Sequence, residues 1–249
     1  MGRMTTYGDA AAGHPDRDHR RGEVLPEGWE LIGVMRHGRG ASAGLRLLRG
    51  ENGDQAVLKD FSHRGPLFRR TAGALMASRE AAAYRRLTSV RGVPRLVDRV
   101  GVDGILLEYV ECFRPQDVPG HVTNEFFEGL REILRALSKR GVIHGDTCRN
   151  TRIDSDGEPW LMDFGASYVI RPWLRPITTH ARKIVRQYDD RDVAVLKSRV
   201  APHLLTPSDQ KTISARLPYR GVLIFGKRLL SAVVLRVFDT REVSIGEVD

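Results

Sequence analysis

Two short stretches of the sequence decide the fold: HGDTCRN at residues 144–150 and DFG at residues 163–165. The first closely follows a segment, Phe126 to Leu137, whose apolar residues recur with the spacing of one helix face. The residues between the two stretches, 151–162, predict a short β-hairpin with Asp-Gly at its turn. A tripeptide such as DFG recurs by chance, so the specificity comes from this context of helix, loop and hairpin.

The part of the chain before these stretches is rich in predicted strands. Lys59 ends one of them, Glu80 lies on the helix that follows, and a loop with Gly38, Gly40 and Gly44 joins the first two strands. Strands are predicted over residues 29–35, 45–48, 55–61, 95–100 and 104–110, and a helix over residues 68–87. Beyond residue 111 the predicted elements are mainly helical, which makes the fold class α+β.

Length and composition are those of a globular protein with a basic charge balance. The 249 residues suffice for one large domain or two small ones, and 40 Lys and Arg against 31 Asp and Glu give a net charge of +9. Cys112 and Cys148 are too few for a disulfide framework and lack the Cys/His pairing of a zinc site, so we expect a reducing cytoplasm. We expect a disordered tail over residues 1–27, no signal peptide and no membrane-spanning helix.

Several of these residues are of the types that phosphoryl transfer requires. A phosphoryl group carries negative charge through its transition state, so a held ammonium group and Mg²⁺ must face it. Lys59 can supply the ammonium group, and Glu80 can hold its flexible side chain through an ion pair. Gly38 and Gly40 would let the backbone approach phosphates, because no Cβ is in the way. The loop departs by one residue from the usual G-x-G-x-x-G, and it could equally be an ordinary hairpin loop.

The two aspartates suit complementary roles in the same chemistry. Asp163 offers the hard oxygen atoms that Mg²⁺ prefers. Asp146 can accept a proton from an attacking hydroxyl group, or orient that group. The order of lysine, glutamate and two aspartates, each in a suitable element, therefore indicates a phosphotransferase site.

Each of these residues also has a plain structural interpretation. Lys59 could be an exposed lysine at a strand end, and Glu80 a solvated helix charge. His144 is favoured as a packed histidine with a scaffolding role. Cys148 is interpreted as a bystander, since only Arg149 beside it could lower the pKa of its thiol.

From Trp29 to Gly165 the sequence resembles the protein-kinase-like superfamily. The resemblance rests on the lysine, the glutamate and the stretches HGD and DFG in this order. HGD in place of HRD is similar to the RIO-type kinases, the lipopolysaccharide (Kdo/heptose) kinases and the aminoglycoside phosphotransferases. The resemblance to the superfamily implies a bilobal fold, with a strand-rich N-lobe over residues 28–110, a helical C-lobe over residues 111–249 and nucleotide between them.

The resemblance also implies a role for each matching residue. The stretch LEYV at residues 107–110 resembles the family hinge, where backbone groups bind adenine. By resemblance, the cofactors are ATP and Mg²⁺, and the site consists of catalytic Asp146, phosphate-binding Lys59 with its partner Glu80, the loop glycines Gly38 and Gly40, adenine-binding Glu108 and Val110, and metal-binding Asn150 and Asp163.

Two departures from the family pattern concern the metal site and the acceptor side. The family usually has four residues between the catalytic aspartate and the metal-binding asparagine, whereas three separate Asp146 from Asn150 here. The residue at the usual spacing is Thr151, a poorer Mg²⁺ ligand than an amide oxygen. No Ala-Pro-Glu segment follows Asp163, which points to the compact atypical kinases.

The favoured function is an ATP- and Mg²⁺-dependent kinase that acts on protein Ser/Thr or on a sugar or lipid-linked hydroxyl group. The alternatives are a pseudokinase that serves as a nucleotide-binding scaffold and, less favoured, a basic nucleic-acid-binding protein. Residues 171–188 contain five Lys or Arg and no acid, which would suit an acidic or phosphorylated acceptor as well as a solvated face. Residues 221–238 are interpreted as core or, alternatively, as a peripheral helix at the inner face of the membrane.

Overall fold

A five-stranded antiparallel sheet forms the first half of the described chain. The computed structural model describes residues 25–170 and 175–215, and over residues 175–185 its backbone alone. In the sheet the strands follow the order β1-β2-β3-β5-β4. Their bounds are β1 (Trp29–Arg36), β2 (Gly44–Gly50), β3 (Gln55–Asp60), β4 (Leu96–Val100) and β5 (Gly104–Glu108). All five strands are predicted by the sequence.

The alternation of residues along β3 divides the sheet into two faces. Ala56 and Leu58 are buried on one face, in a cluster with Leu48 and Leu106. Lys59 therefore points to the opposite face, and it pairs in register with Leu45 on β2 and with Ile105 on β5. β5 ends at Glu108, two residues before the predicted end. The amide of Tyr109 still donates to the carbonyl of Gln55, and the chain leaves the sheet after this hydrogen bond.

The helix predicted over residues 68–87 contains an irregularity that its apolar spacing does not reveal. Helix α1 (Pro66–Phe68) continues into a π-helical turn (Arg69–Gly73) and then into helix α2 (Ala74–Leu87). Arg69 donates from Nε to Oδ2 of the buried Asp103 at 2.7 Å, which ties the π turn to the loop between β4 and β5. Glu80 lies on the buried face of α2.

Helix α3 (Asn124–Lys139) is the central helix of the second half. The hydroxyl group of Thr123 accepts a hydrogen bond from the amide of Phe126 and caps the helix, and Gly141 follows its end with φ of 71°. Its six large apolar side chains from Phe126 to Leu137 are buried, each contributing about 1.5–3 kcal/mol of transfer free energy.

Short elements after α3 carry the two aspartates. Strand β6 (Val142–Ile143) pairs with β9 (Tyr168–Val169), and the predicted hairpin consists of β7 (Thr151–Ile153) and β8 (Pro159–Leu161). Helix α4 (Thr147–Asn150) is a single turn between β6 and β7. Asp146 begins this turn, and Asp163 follows the hairpin.

Two further helices follow, α5 (Arg175–Val200) and α6 (Pro207–Ser214). Oδ2 of Asp209 on α6 forms an ion pair with Nζ of the buried Lys197 on α5 at 3.3 Å, and this contact holds the two helices together. None of the helices in the described residues combines the length and apolar character that a membrane span needs. Residues 221–238 and nearly all of the predicted tail, residues 1–24, lie outside the described ranges.

Candidate active site

An ion-pair cluster lies where the sheet, helix α2 and the loop after β8 meet. The ammonium nitrogen Nζ of Lys59 lies 2.9 Å from Oε1 of Glu80 and 2.7 Å from Oδ1 of Asp163. The side chains of Lys59 and Glu80 are only 11% and 5% exposed. The interpretations of Lys59 as an exposed lysine and of Glu80 as a solvated charge are therefore wrong. We call Lys59, Glu80 and Asp163 the ion-pair cluster.

The cluster shifts the acidities of its own members. Burial alone would lower the pKa of Lys59, but the carboxylates of Glu80 and Asp163 outweigh burial and raise it well above its usual value. Burial likewise favours the neutral acid of Asp163, yet Lys59 and the amide of Gly165 lower its pKa to about 2. Burial raises the pKa of Glu80, and Lys59 offsets this in part. Asp163 is thus an ionised carboxylate at any physiological pH.

The backbone of Asp163 is held in an uncommon conformation. Its φ of 57° lies in the left-handed region, and it is the one non-glycine residue in the described ranges with positive φ. The next residue, Phe164, is 1% exposed and packs edge-to-face against Tyr84 and His144, with ring centroids 4.9 and 4.7 Å apart. Such strained residues persist where the surroundings hold them, and they concentrate at functional sites.

Residues 144–150, which we call the aspartate turn, are held by hydrogen bonds to the backbone. His144 is 1% exposed and donates from Nε2 to the carbonyl of Met162 at 2.8 Å. Its Nδ1 accepts from the amide of Asp146 at 3.3 Å, and a neutral imidazole protonated on Nε2 satisfies both bonds. The scaffolding role predicted for His144 is confirmed, since it joins the turn to the residue that precedes Asp163.

The three-residue spacing inside the aspartate turn has a simple geometric consequence. Because Thr147–Asn150 form one helical turn, the Asn150 side chain reaches back, and Nδ2 donates to the carbonyl of Asp146 at 3.0 Å. The amide oxygen of Asn150 is not used in that bond. Thr151 is 1% exposed, and its hydroxyl group donates to the carbonyl of Thr147 at 2.8 Å. The structure thus places Asn150, and not Thr151, beside Asp146.

An apolar cleft extends from the ion-pair cluster to the end of β5. At that edge Glu108 is bound to Arg95 twice: its amide donates to the Arg95 carbonyl at 2.9 Å, and its carboxylate Oε2 accepts from the Arg95 amide at 3.0 Å. Apart from the cluster, the cleft is lined by Arg36, by residues 108–110, and by the largely apolar side chains of Met35, Leu45, Val57, Tyr84, Pro94, Leu107, Cys112 and Met162. The cleft therefore brings the predicted Glu108 and Val110 and the predicted Lys59 and Asp163 to its two ends.

The loop of residues 37–43 holds both predicted glycines, Gly38 and Gly40, and neither is among the residues that line the cleft. A Cβ on Gly38 would lie 2.2 Å from ring atoms of His63, a close approach that the sequence does not signal and that favours glycine at this position. Gly40 has φ of 53° and forms a tight turn in which the Ser42 amide donates to the Arg39 carbonyl. Arg36 Nη2 donates to the Ala43 carbonyl at 3.2 Å and closes the base of the loop.

Helix α5 supports the aspartate turn from behind. The thiol of Cys148 donates to the backbone carbonyl of Asp192 at 2.9 Å, and burial raises the pKa of Cys148 to about 12. A thiol with so high a pKa is a poor nucleophile at neutral pH, in keeping with its interpretation as a bystander. The aspartates at 189, 190 and 192 lie on the same helix, where burial and the two neighbouring carboxylates raise the pKa of Asp189 to about 8.

The sheet with its packed helix, the helical second half and the cleft between them define a bilobal protein-kinase-like fold of the α+β class. Two similar solved structures are both of Rio2 kinase from Chaetomium thermophilum. Its ADP/Mg²⁺-phosphoaspartate complex has a TM-score of 0.52 at 17% identity, with 84% of this chain and 71% of that chain covered. A second structure has a TM-score of 0.53 at 17% identity, with 86% and 74% covered. By sequence alone, the chain matches neither a protein-family model nor a curated protein.

This likeness confirms the predicted fold and its resemblance to RIO-type kinases at the level of architecture. At 17% identity it shows the fold alone. The finer resemblance to lipopolysaccharide kinases receives no support from these two neighbours. The argument for a function therefore rests on the site residues.

Proposed function

We propose that the chain is an ATP- and Mg²⁺-dependent phosphotransferase that transfers the γ-phosphoryl group to a hydroxyl acceptor. The observation that carries the proposal is the contact of one ammonium group with two carboxylates, Glu80 at 2.9 Å and Asp163 at 2.7 Å, at the end of an apolar cleft. Glu80 holds Lys59 so that its charge faces the phosphates. Asp163 presents a carboxylate that stays ionised beside it.

The donor set of the site suits Mg²⁺. In the described residues no three His, Cys, Asp or Glu side chains are grouped to enclose a metal ion. Mg²⁺ is commonly held by one or two protein oxygens together with substrate phosphates, and the Asp163 carboxylate and the Asn150 amide oxygen would serve as those ligands. When bound, the ion would supply neutralisation of charge on the phosphoryl group.

The edge of the cleft suits an adenine ring. In an antiparallel pair the Arg95 amide would ordinarily donate to the Glu108 carbonyl, but here it donates to the Glu108 carboxylate at 3.0 Å. The Glu108 carbonyl is thereby left for the exocyclic amine of adenine, and the backbone of Val110 completes the edge. Substituting Glu108 by Ala should return the Arg95 amide to the carbonyl and weaken nucleotide binding.

Asp146 is proposed as the residue that orients the acceptor hydroxyl group and accepts its proton. His144 and Asn150 bind its backbone amide and carbonyl, so its position is set by two hydrogen bonds. Proton transfer by a positioned side chain contributes about 10²–10⁴ in rate. The carboxylate acts on the acceptor and not on ATP.

Incubation with labelled ATP and Mg²⁺, alone and with cell extract, tests the proposal. Asp146→Asn should lose transfer about 10²–10⁴-fold while nucleotide binding stays nearly intact. Asp156→Asn, an exposed aspartate of the β7–β8 hairpin, is the matched control and should leave both unchanged. Wild-type turnover in Asp146→Asn would remove Asp146 from the mechanism, and absence of nucleotide binding by the wild type would refute the kinase function.

A scaffold that binds nucleotide without turnover is the second candidate. The short spacing of the aspartate turn favours it, because Asn150 is tethered to the Asp146 carbonyl at 3.0 Å and would have to hold a second metal ion from that position. Mg²⁺-dependent binding of ATP without any labelled product or released phosphate would identify such a scaffold. Hydrolysis or transfer would exclude it.

The acceptor, the boundaries and the location are proposed from the sequence. We propose a protein Ser/Thr, sugar or lipid-linked hydroxyl acceptor, acidic or phosphorylated because of the basic residues 171–188, most of whose side chains lie outside the described ranges. We propose residues 28–110 and 111–249 as the two lobes after a tail at 1–27. We also propose that the protein is cytoplasmic, with peripheral contact at the inner face of the membrane as the alternative.

A further inference from the structure

Arg36 lies where the first strand gives way to the loop of residues 37–43. It is the last residue of β1, and its guanidinium group crosses the base of the loop to the carbonyl of Ala43, 3.2 Å from Nη2. Within the described residues this is the one hydrogen bond of the Arg36 side chain, and a guanidinium group has five N–H donors. The other donors remain available to a ligand.

The guanidinium group belongs to the same cleft as the ion-pair cluster. Arg36 lines the cleft together with Lys59 and Asp163. Its charge also acts on Asp163, where it assists Lys59 in lowering the pKa of that carboxyl group. Arg36 therefore faces the charged end of the cleft from the strand above it.

The charge balance of the cleft leaves a role for a second cation. Lys59 already contacts two carboxylates within 3 Å, so its positive charge is compensated before any ligand enters. A nucleotide polyphosphate brings several negative charges to this end. The cluster alone carries a net charge of −1, which would repel phosphates, and Arg36 is a cation of the cleft lining that offsets this charge.

We infer that Arg36 is a second phosphate-binding residue of the cleft, which binds the polyphosphate of the nucleotide opposite Lys59. The inference rests on the proposed function. The planar guanidinium group suits phosphate oxygens because it can donate two parallel hydrogen bonds. Its bond to Ala43 couples the ligand to the loop, so that binding also draws the loop over the phosphates.

Calorimetric titration with adenosine and with the Mg²⁺ complex of a non-hydrolysable ATP analogue tests the inference. Arg36→Ala and Arg36→Gln should weaken analogue binding about tenfold or more and leave adenosine binding unchanged, because they remove a charged hydrogen bond. Arg36→Gln retains an N–H donor for the Ala43 carbonyl, and Arg36→Lys retains the charge and should recover part of the affinity. Arg39→Ala is the matched control, since Arg39 is exposed at the tip of the same loop and should affect neither ligand.

The outcomes separate this inference from the proposed function. Binding of both ligands by the wild type, with the analogue unaffected by Arg36→Ala, would overturn the inference alone. Equal loss of adenosine and analogue would show a structural role for Arg36 in the loop and overturn it as well. A wild-type chain that binds neither ligand would refute the proposed function, and the inference with it.

Discussion

The ion-pair cluster and the aspartate turn are neighbours, joined where His144 contacts Met162 and Phe164, but different forces hold them. Lys59, Glu80 and Asp163 are placed by charge, through side chains that come from three separate elements. The aspartate turn is placed by hydrogen bonds between His144 or Asn150 and backbone groups. We expect the cluster to be sensitive to any change of charge, and the turn to be sensitive to shape and insensitive to salt.

The largest effect is expected from breaking the cluster at its centre. Lys59→Ala leaves two carboxylates without their ammonium group, and removal of one partner from a buried pair costs about 3–5 kcal/mol. Transfer activity should fall with it. Chemical unfolding and a turnover assay measure the two losses.

The double variant Lys59→Ala/Glu80→Ala sharpens this result. If the two residues act as one unit, the double variant should be little less active than either single variant, and more stable than Lys59→Ala. Fully additive losses of activity would mean that Glu80 acts independently of Lys59.

The next largest effect concerns the aspartate turn. His144→Ala removes both of the hydrogen bonds that His144 makes to the backbone of Met162 and Asp146, and we expect a loss of about 1–3 kcal/mol of stability. Turnover should fall more than the affinity for ATP, since His144 positions the backbone of Asp146, which is proposed to act on the acceptor. The stability loss should be the same in low and high salt, and a strongly salt-dependent loss would contradict the contrast between the two regions.

A smaller effect separates the two candidates for the second metal ligand. Asn150→Ala should raise the Mg²⁺ concentration for half-maximal activity several-fold, because it removes the amide oxygen beside Asp146. Thr151→Val is the control, since it removes a buried hydroxyl group that binds the Thr147 carbonyl and should not move the Mg²⁺ titration. If neither variant changes the Mg²⁺ concentration for half-maximal activity while Asp163→Ala abolishes activity, Asn150 is not a metal ligand.

The loop of residues 37–43 offers a test in which a second substitution restores what the first one loses. Gly38→Ala should weaken ATP binding modestly, because the new methyl group would lie 2.2 Å from the ring of His63 and push the loop outward. The double variant Gly38→Ala/His63→Ala removes the clash and should bind ATP more tightly than Gly38→Ala alone. Gly53→Ala, at a turn with open space around it, controls for the general cost of replacing glycine, although its φ of 85° adds strain.

The smallest effect is the pH dependence of stability from the cluster. The pKa of Asp163 is lowered in the folded state to about 2, so its contribution is complete above the unfolded value near 3.8 and is lost as pH falls through about 2. The pKa of Lys59 is raised, so its contribution is complete below 10.5 and is lost only at higher pH. The free energy of unfolding measured from pH 5 to 9 should therefore not change through the titration of these two groups. At lower pH the wild type should lose the contribution of Asp163, and Asp163→Asn should remove this loss.

Most of the fold follows from the sequence because its elements have strong local signals. The strands alternate, α3 has both a cap and a glycine stop, and the hairpin has Asp-Gly at its turn. The π turn at Arg69–Gly73 could not be predicted, because no residue type in this segment is specific to a π turn.

The candidate site was predictable where residue types are distinctive and not where distant contacts decide. Lys59, Glu80 and Asp163 are brought together as predicted. The contact of His63 with Gly38 joins residues 25 positions apart, and His63 lies in no motif. The reach of Asn150 depends on whether the turn is helical, which four residues of sequence cannot settle.

The packing of Phe164 has a consequence for the discovery of inhibitors. Its ring is 1% exposed between Tyr84 and His144, and its neighbour Asp163 is held by Lys59. A compound that needs the volume of this ring must first expel it into water, at about 1.5–3 kcal/mol. Such a compound would bind about tenfold to a hundredfold more weakly than a compound that occupies only the apolar cleft. Screening against this chain should therefore favour flat compounds that lie between Met35 and Met162 and leave the Phe164 ring in place.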